Sequence, residues 1–157
     1  MSHCRMDLPD RRKILMQCRQ TLESRRTEQL RELESLDQAS AAETKSSAGD
    51  KYETGREMIA QARNLVQATL SETEAHLEAL DRMAAAPLRD KAGFGSLAET
   101  NLGWYLIGTA LGEIDIGGIP VRLISLASPI GLALKGGGAG EKIPWRGGVL
   151  EILRLPV

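Results

Sequence analysis

Ile124-Ser125-Leu126-Ala127-Ser128-Pro129-Ile130-Gly131-Leu132-Ala133-Leu134-Lys135-Gly136 changes from one kind of secondary structure to another, and its reading decides the class of the second half of the chain. The stretch opens as the end of an apolar strand candidate, Val121–Leu126. Ser128 followed by Pro129 then reads as a helix start. A serine hydroxyl can cap the free N–H groups, and proline has no N–H to lose at the first helical position. Lys135-Gly136 stops the helix, which leaves it the span 129–134. Further strand candidates surround this element: Phe94–Glu99, Trp104–Ile107 and Val149–Leu155. Asn101-Leu102-Gly103, Gly117-Gly118 and Arg146-Gly147-Gly148 are the expected turns. Strands with one short helix over residues 87–157 specify a small α+β domain with a modest core.

Pro87, after Ala84-Ala85-Ala86, ends a different kind of chain. Of 16 glycines only Gly49 and Gly55 precede it, and of five aromatic residues only Tyr52 does. From about Asp10 to Gln38 there is no Gly or Pro, and Leu15, Cys18, Leu22, Gln29, Leu33 and Leu36 recur at helical spacing. From Lys51 to Met83 the pattern returns in Ile59, Ala62, Val66, Leu70, Thr73, Leu77, Leu80 and Ala84. Both seams are narrow and poor in large apolar residues. Residues 8–86 therefore read as an antiparallel coiled-coil hairpin, about 45 Å long at ~1.5 Å per residue. Its far end is expected over 39–53, where Ala39–Asp50 reads as a polar loop.

Asp50-Lys51-Tyr52-Glu53 opens the second helix, and two readings stand side by side. Asp50 with Glu53 three residues later is a capping-box variant. Two carboxylates at the end of a hairpin also have the oxygen chemistry that a divalent cation such as Mg²⁺ accepts, provided other oxygens complete the shell.

Other chemistries are excluded by what is missing or misplaced. The 157 residues carry a net charge of −1, with 13 basic and 15 acidic side chains up to Ala86 and 7 and 6 after it. Neither half has the basic excess of a nucleic-acid binder, so a protein partner is expected. No apolar run has membrane length, and charged residues interrupt the start, so a soluble, cytoplasmic protein is expected. Cys4 and Cys18 are the only cysteines, and with His3 and His76 they match no zinc spacing. Gly136-Gly137-Gly138-Ala139-Gly140-Glu141-Lys142 follows a helix and lacks the Ser or Thr of a phosphate loop, so it reads as a flexible loop. No nucleophile–base set can be built after Pro87, where His and Cys are absent. The expectation is a protein that is not itself an enzyme and has no cofactor of its own.

The run Ile124–Leu134 followed by Ala139-Gly140-Glu141 resembles the C-terminal domain of bacterial Gre-type transcript-cleavage factors, in which a strand leads into a Ser-Pro-x-Gly-x-Ala-Leu helix. Phe94-Gly95-Ser96 is similar to that family's opening strand, and the preceding hairpin matches its order of parts. The resemblance implies an FKBP-like fold for 87–157 and docking on bacterial RNA polymerase as a monomer, with Ser128, Pro129, Ile130 and Gly131 in the partner-binding segment. It also implies entry of the hairpin into the secondary channel. Gly49-Asp50-Lys51-Tyr52-Glu53 keeps the spacing of the family's acidic tip. By that match Asp50 and Glu53 would help position Mg²⁺ supplied at the polymerase active site, so that backtracked RNA is cleaved near its 3′ end.

Thr54-Gly55-Arg56-Glu57 departs from the Asn-Ala-Glu-Tyr usual in the family, which opens the alternative of an inhibitory or non-cleaving polymerase regulator. A peptidyl-prolyl isomerase-like or small-molecule-binding domain with a dimerising coiled coil is the rival of another class. It requires a concave pocket, for which Phe94, Trp104, Tyr105 and Trp145 are the available aromatic side chains.

Overall fold

The computed structural model describes residues 8–44 and 49–156. The architecture is α+β. Two long helices, α1 (Arg11–Thr44) and α2 (Gly49–Ala85), precede strands β1 (Leu97–Thr100), β2 (Gly103–Gly108), β3 (Gly112–Ile116), β4 (Ile119–Ser125), β5 (Lys142–Trp145) and β6 (Gly148–Arg154). The short helix α3 (Pro129–Leu134) lies between β4 and β5. Among the described residues the chain divides into two compact units: one joins positions up to Arg19 to those from Ala79 onward, and the other is Gln20–Glu78.

Within the first unit the strands form one sheet of order β3-β4-β2-β1-β6-β5. Only β2 and β4 pair in parallel. The sequence reading omitted β3 and β5, and their place at the two sheet edges explains why. An edge strand can be short and partly polar, as Gly112-Glu113-Ile114-Asp115-Ile116 is. It also tolerates Pro144, because no outer neighbour needs the missing N–H. β1 starts at Leu97, later than the expected Phe94. Gly95, at φ 87°, turns the chain there while its N–H bonds to Ile107 O at 2.7 Å.

Strand alternation sends Tyr105 and Ile107 to one face and Leu106 and Gly108 to the other. On the first face Ile107, Leu150 and Ile152 bury completely with Leu134 of α3. On the second, Met83 of α2 closes over Gly108, where a Cβ would collide with its sulfur. The helix seam thus runs from Leu80 to Met83, both buried, and the expected Ala84 is exposed. Ile14, which the seam reading left out, is also completely buried. Arg11 ties these parts together, since its guanidinium donates to Met83 O and, at 2.9 Å, to Gly95 O. Asp10 caps α1 as expected, accepting from Arg12 N at 2.9 Å.

The glycine cluster after α3 is a fastened segment, contrary to the flexible loop read from its composition. Ala92 N donates to Gly137 O at 2.7 Å, Gly136 N to Ala92 O at 2.8 Å and Gly140 N to Ile152 O at 2.7 Å. A Cβ at 137 would lie 2.6 Å from Ile152 Cδ1 and 3.1 Å from Leu134 O, so the segment packs closely here.

In the Gln20–Glu78 unit the helices run side by side. Arg63 pairs with Asp37 at 2.8 Å and Arg26 with Glu74 at 3.4 Å. The two residue numbers in each pair add to the same value, as antiparallel neighbours require. Leu22, Val66, Leu70 and Thr73 are buried, whereas Gln29, Leu33, Leu36, Ile59 and Ala62 are only half-buried. α1 continues to Thr44, so residues 39–44 are helical where a loop was expected. Ala41, Ala42 and Glu43 are good helix formers, and no Gly or Pro breaks the run. Among the described residues, no helix is long and apolar enough to cross a membrane.

Candidate functional site

The acidic pair falls at the start of α2. The helix begins at Gly49, so Asp50 stands inside the first turn and is not the cap residue that a capping box needs. Three residues apart on a helix, positions 50 and 53 share a face. Glu53 is exposed, and the Asp50 side chain lies outside the described residues. Carboxylates at this end of a helix are favoured by the helix dipole. Among the described residues no cluster of three or more His, Cys, Asp or Glu side chains is placed to hold a metal. Two carboxylates without a third ligand fit only an ion that another molecule also holds.

The second predicted segment surrounds α3, and its four residues divide by role. Ser128 is the helix cap, accepting from Gly131 N at 3.1 Å while its hydroxyl donates to Ser125 O at 2.6 Å. Gly131 is buried, and a Cβ on it would run into Ser125 O and Leu126 O. Both residues build the corner. Pro129 and Ile130 instead face a cleft of about 410 Å³.

The cleft belongs to the sheet unit. Tyr105 of β2 and its register partner Arg122 of β4 lie side by side in it. Ile124 and Leu102 continue the apolar wall, and Trp145 and Arg146 close the side nearest β5. Arg122 donates to Glu113 Oε2 at 3.2 Å. That bond, and contact with Tyr105, raise its guanidinium pKa above the ordinary value. The Arg146 guanidinium stacks on the Trp145 ring at 5.0 Å.

Of the four aromatic residues available for a pocket, Tyr105 and Trp145 therefore share one. Trp104 lies under Arg154 at 5.5 Å and Phe94 under Arg82 at 5.8 Å, away from it. Sequence reasoning did not single out Arg122 or Arg146. For Arg122 the signal was present: a charge between Val121 and Leu123 must point away from their buried face. Arg146 could have been found from its turn, because an Arg-Gly pair between two strands puts a non-glycine residue where φ must be positive.

Comparison with protein-family models, curated proteins and solved structures returned no match. The site is thus characterised by its own chemistry. It offers cations, two aromatic rings and aliphatic walls, but no thiol, imidazole or acidic side chain. Such a set can bind and orient a ligand. Cys18 is no candidate either, since burial pushes its thiol pKa up and keeps it protonated.

Proposed function

We propose that this protein is a non-enzymatic regulator of transcription elongation that binds RNA polymerase as a monomer. In this reading α1 and α2 pair as an antiparallel coiled coil, and residues 87–157 form an FKBP-like docking domain whose contact includes Pro129 and Ile130. The observation that carries it is the Gln20–Glu78 unit, in which two long helices are joined by ion pairs along a thin seam. A pair of helices with few buried residues is poorly suited to be a core and well suited to enter a narrow channel. From Gln20 to Thr44 α1 alone extends roughly 37 Å at ~1.5 Å per residue.

Asp50 and Glu53 would add carboxylate oxygens to a Mg²⁺ held by the polymerase. A second metal at a phosphoryl-transfer site supplies an activated water and offsets charge on the leaving oxygen. The test adds purified protein to stalled, backtracked polymerase complexes and follows RNA length. Stimulated cleavage, lost in Asp50→Ala/Glu53→Ala, is the expected result. Cleavage that persists in the double variant overturns the tip assignment. Binding without stimulation selects the inhibitory or non-cleaving alternative, and absence of polymerase binding overturns the whole reading.

The Tyr105–Trp145 cleft favours a second reading, a small-molecule-binding or peptidyl-prolyl isomerase-like domain whose helices dimerise. It calls for prolyl isomerase activity on a model peptide and a stable dimer in sedimentation.

A further inference from the structure

We propose that the cleft between β2, β4, α3 and the β5–β6 turn binds a small amphipathic carboxylate, with its apolar body on Tyr105, Ile124 and Ile130 and its carboxylate at Arg122 and Arg146. The starting point is the hydrogen-bonding inventory. The side chains that line the cleft offer two guanidiniums, an indole N–H and a phenol. A guanidinium has no acceptor, so between the neighbouring Arg122 and Tyr105 side chains only the tyrosine oxygen can accept. The Tyr105 hydroxyl keeps its own hydrogen for a further acceptor. Apart from that phenolic oxygen, no lining side chain accepts a hydrogen bond. A ligand that satisfies this set must therefore bring acceptors, and a negative charge suits the two cations best. The remaining walls, Leu102, Ile124, Pro129 and Ile130, are aliphatic and match an uncharged body. The volume of about 410 Å³ is in the range of small-molecule sites.

Arg146 supplies an independent observation. Trp145 and Gly148 pair directly, so Arg146-Gly147 is a two-residue hairpin loop with φ of 43° and 79°. Arg146 is the one non-glycine residue with positive φ among the described residues. Asparagine or glycine would serve that turn with less strain. Strained backbone of this kind concentrates where a side chain must be held for binding. Here it holds a cation over Trp145 at the edge of the cleft. Glu113 already engages Arg122, whereas Arg146 makes no ion pair among the described residues, so the larger share of the charge recognition is assigned to Arg146.

The inference does not rest on the polymerase reading, and its test uses the free full chain. Trp104→Phe leaves Trp145 as the only tryptophan, and its emission is followed during titration with 4-phenylbutyrate at low ionic strength. The uncharged 4-phenylbutanol and the body-less acetate are the controls. The acid is expected to shift Trp145 emission and to bind at least about tenfold more tightly than either control, as hydrogen bonds to a charged group would produce. Arg146→Gln should remove most of that advantage and Arg122→Gln a smaller part. Equal affinity for acid and alcohol, equal affinity for acid and acetate, or no response to the acid at millimolar concentration would each overturn the proposal. The acid–alcohol comparison needs no variant at either arginine, so it decides the matter even if those variants fold poorly.

Discussion

The Gln20–Glu78 unit and the sheet unit are built on opposite principles. Of the 21 buried apolar residues among those described, only Leu22, Val66 and Leu70 belong to the helical unit. The sheet unit buries Leu106, Ile107, Val121, Leu134, Leu150 and Ile152 completely and closes its joints with glycines that admit no Cβ. The helical unit relies on exposed ion pairs and half-buried contacts, and it leaves Gln29 Oε1 buried without a hydrogen-bond partner among the described residues. One unit tolerates change because little is packed tightly; the other has little room to change. Stability should therefore be unevenly distributed, with the helical unit opening at lower free energy.

The contrast is broken most directly by deleting equivalent volume from each unit. Ile152→Ala removes side-chain atoms from a completely buried site and is expected to cost about 2–5 kcal/mol. Leu33→Ala, at a half-buried seam position, is expected to cost roughly 1 kcal/mol, since less area leaves water and less of a cavity remains. Both tryptophans lie in the sheet unit, so urea unfolding followed by fluorescence reports that unit, while circular dichroism follows the helices. Equal losses, or coincident transitions by both probes in the Leu33→Ala protein, would dissolve the distinction.

Gly131→Ala is the next step. In an unobstructed helix interior, alanine for glycine gains up to about 1 kcal/mol. Here the added carbon meets the backbone carbonyls of Ser125 and Leu126, which cannot rotate away as a side chain can. A net loss of roughly 2–3 kcal/mol is expected, as for other overpacked sites, read as a lower urea midpoint by fluorescence. A gain in stability would show that the corner yields and that Gly131 is not a packing residue.

What could be read from the sequence follows the same division. The α+β class, α3 with its cap, and three hairpin turns were all legible, because Ser128-Pro129, Asn101-Leu102-Gly103, Gly117-Gly118 and Arg146-Gly147 act through local geometry. Edge strands β3 and β5 were not, since tertiary position decides whether so short a segment pairs. The glycine cluster misled for a related reason: composition reports backbone freedom, but hydrogen bonds to Ala92 and Ile152 remove it. Asp50 and Glu53 were legible as a pair on one helix face but not as a cap, because the helix extends two residues earlier than its polarity suggested. The cleft was half-visible. Its aromatic residues could be named, but the arginines join it only through the Tyr105–Arg122 register and the turn at Arg146.

Arg146→Asn sharpens the comparison from within the rigid unit, because it separates stability from recognition. A non-glycine residue in the left-handed region costs about 1 kcal/mol or more, and asparagine before glycine is a favoured pair for this turn. Loss of an exposed cation–π contact returns roughly 0.5 kcal/mol in the other direction. Relief of the backbone outweighs that loss, so a net gain of roughly 0.5 kcal/mol is expected in urea unfolding, together with loss of most of the advantage of 4-phenylbutyrate over 4-phenylbutanol. Stability unchanged or lowered would mean that Arg146 is kept for packing and not for a ligand.

The smallest effect should come from the ion pairs, although they are the most visible contacts of the helical unit. Arg63 and Asp37 are both about half exposed, at 44% and 56%. Water screens their attraction, and ordering two long side chains opposes it. Asp37→Asn keeps the shape and removes the charge, and is expected to cost only about 0.2–0.5 kcal/mol, less still in high salt. The pairs would then fix the direction and alignment of the two helices more than they hold them together. A double-mutant cycle with Arg63→Gln, read by circular dichroism at low and high salt, measures the coupling itself. A coupling that stays well above 1 kcal/mol in high salt would overturn that division of labour and place the strength of the hairpin in its charges.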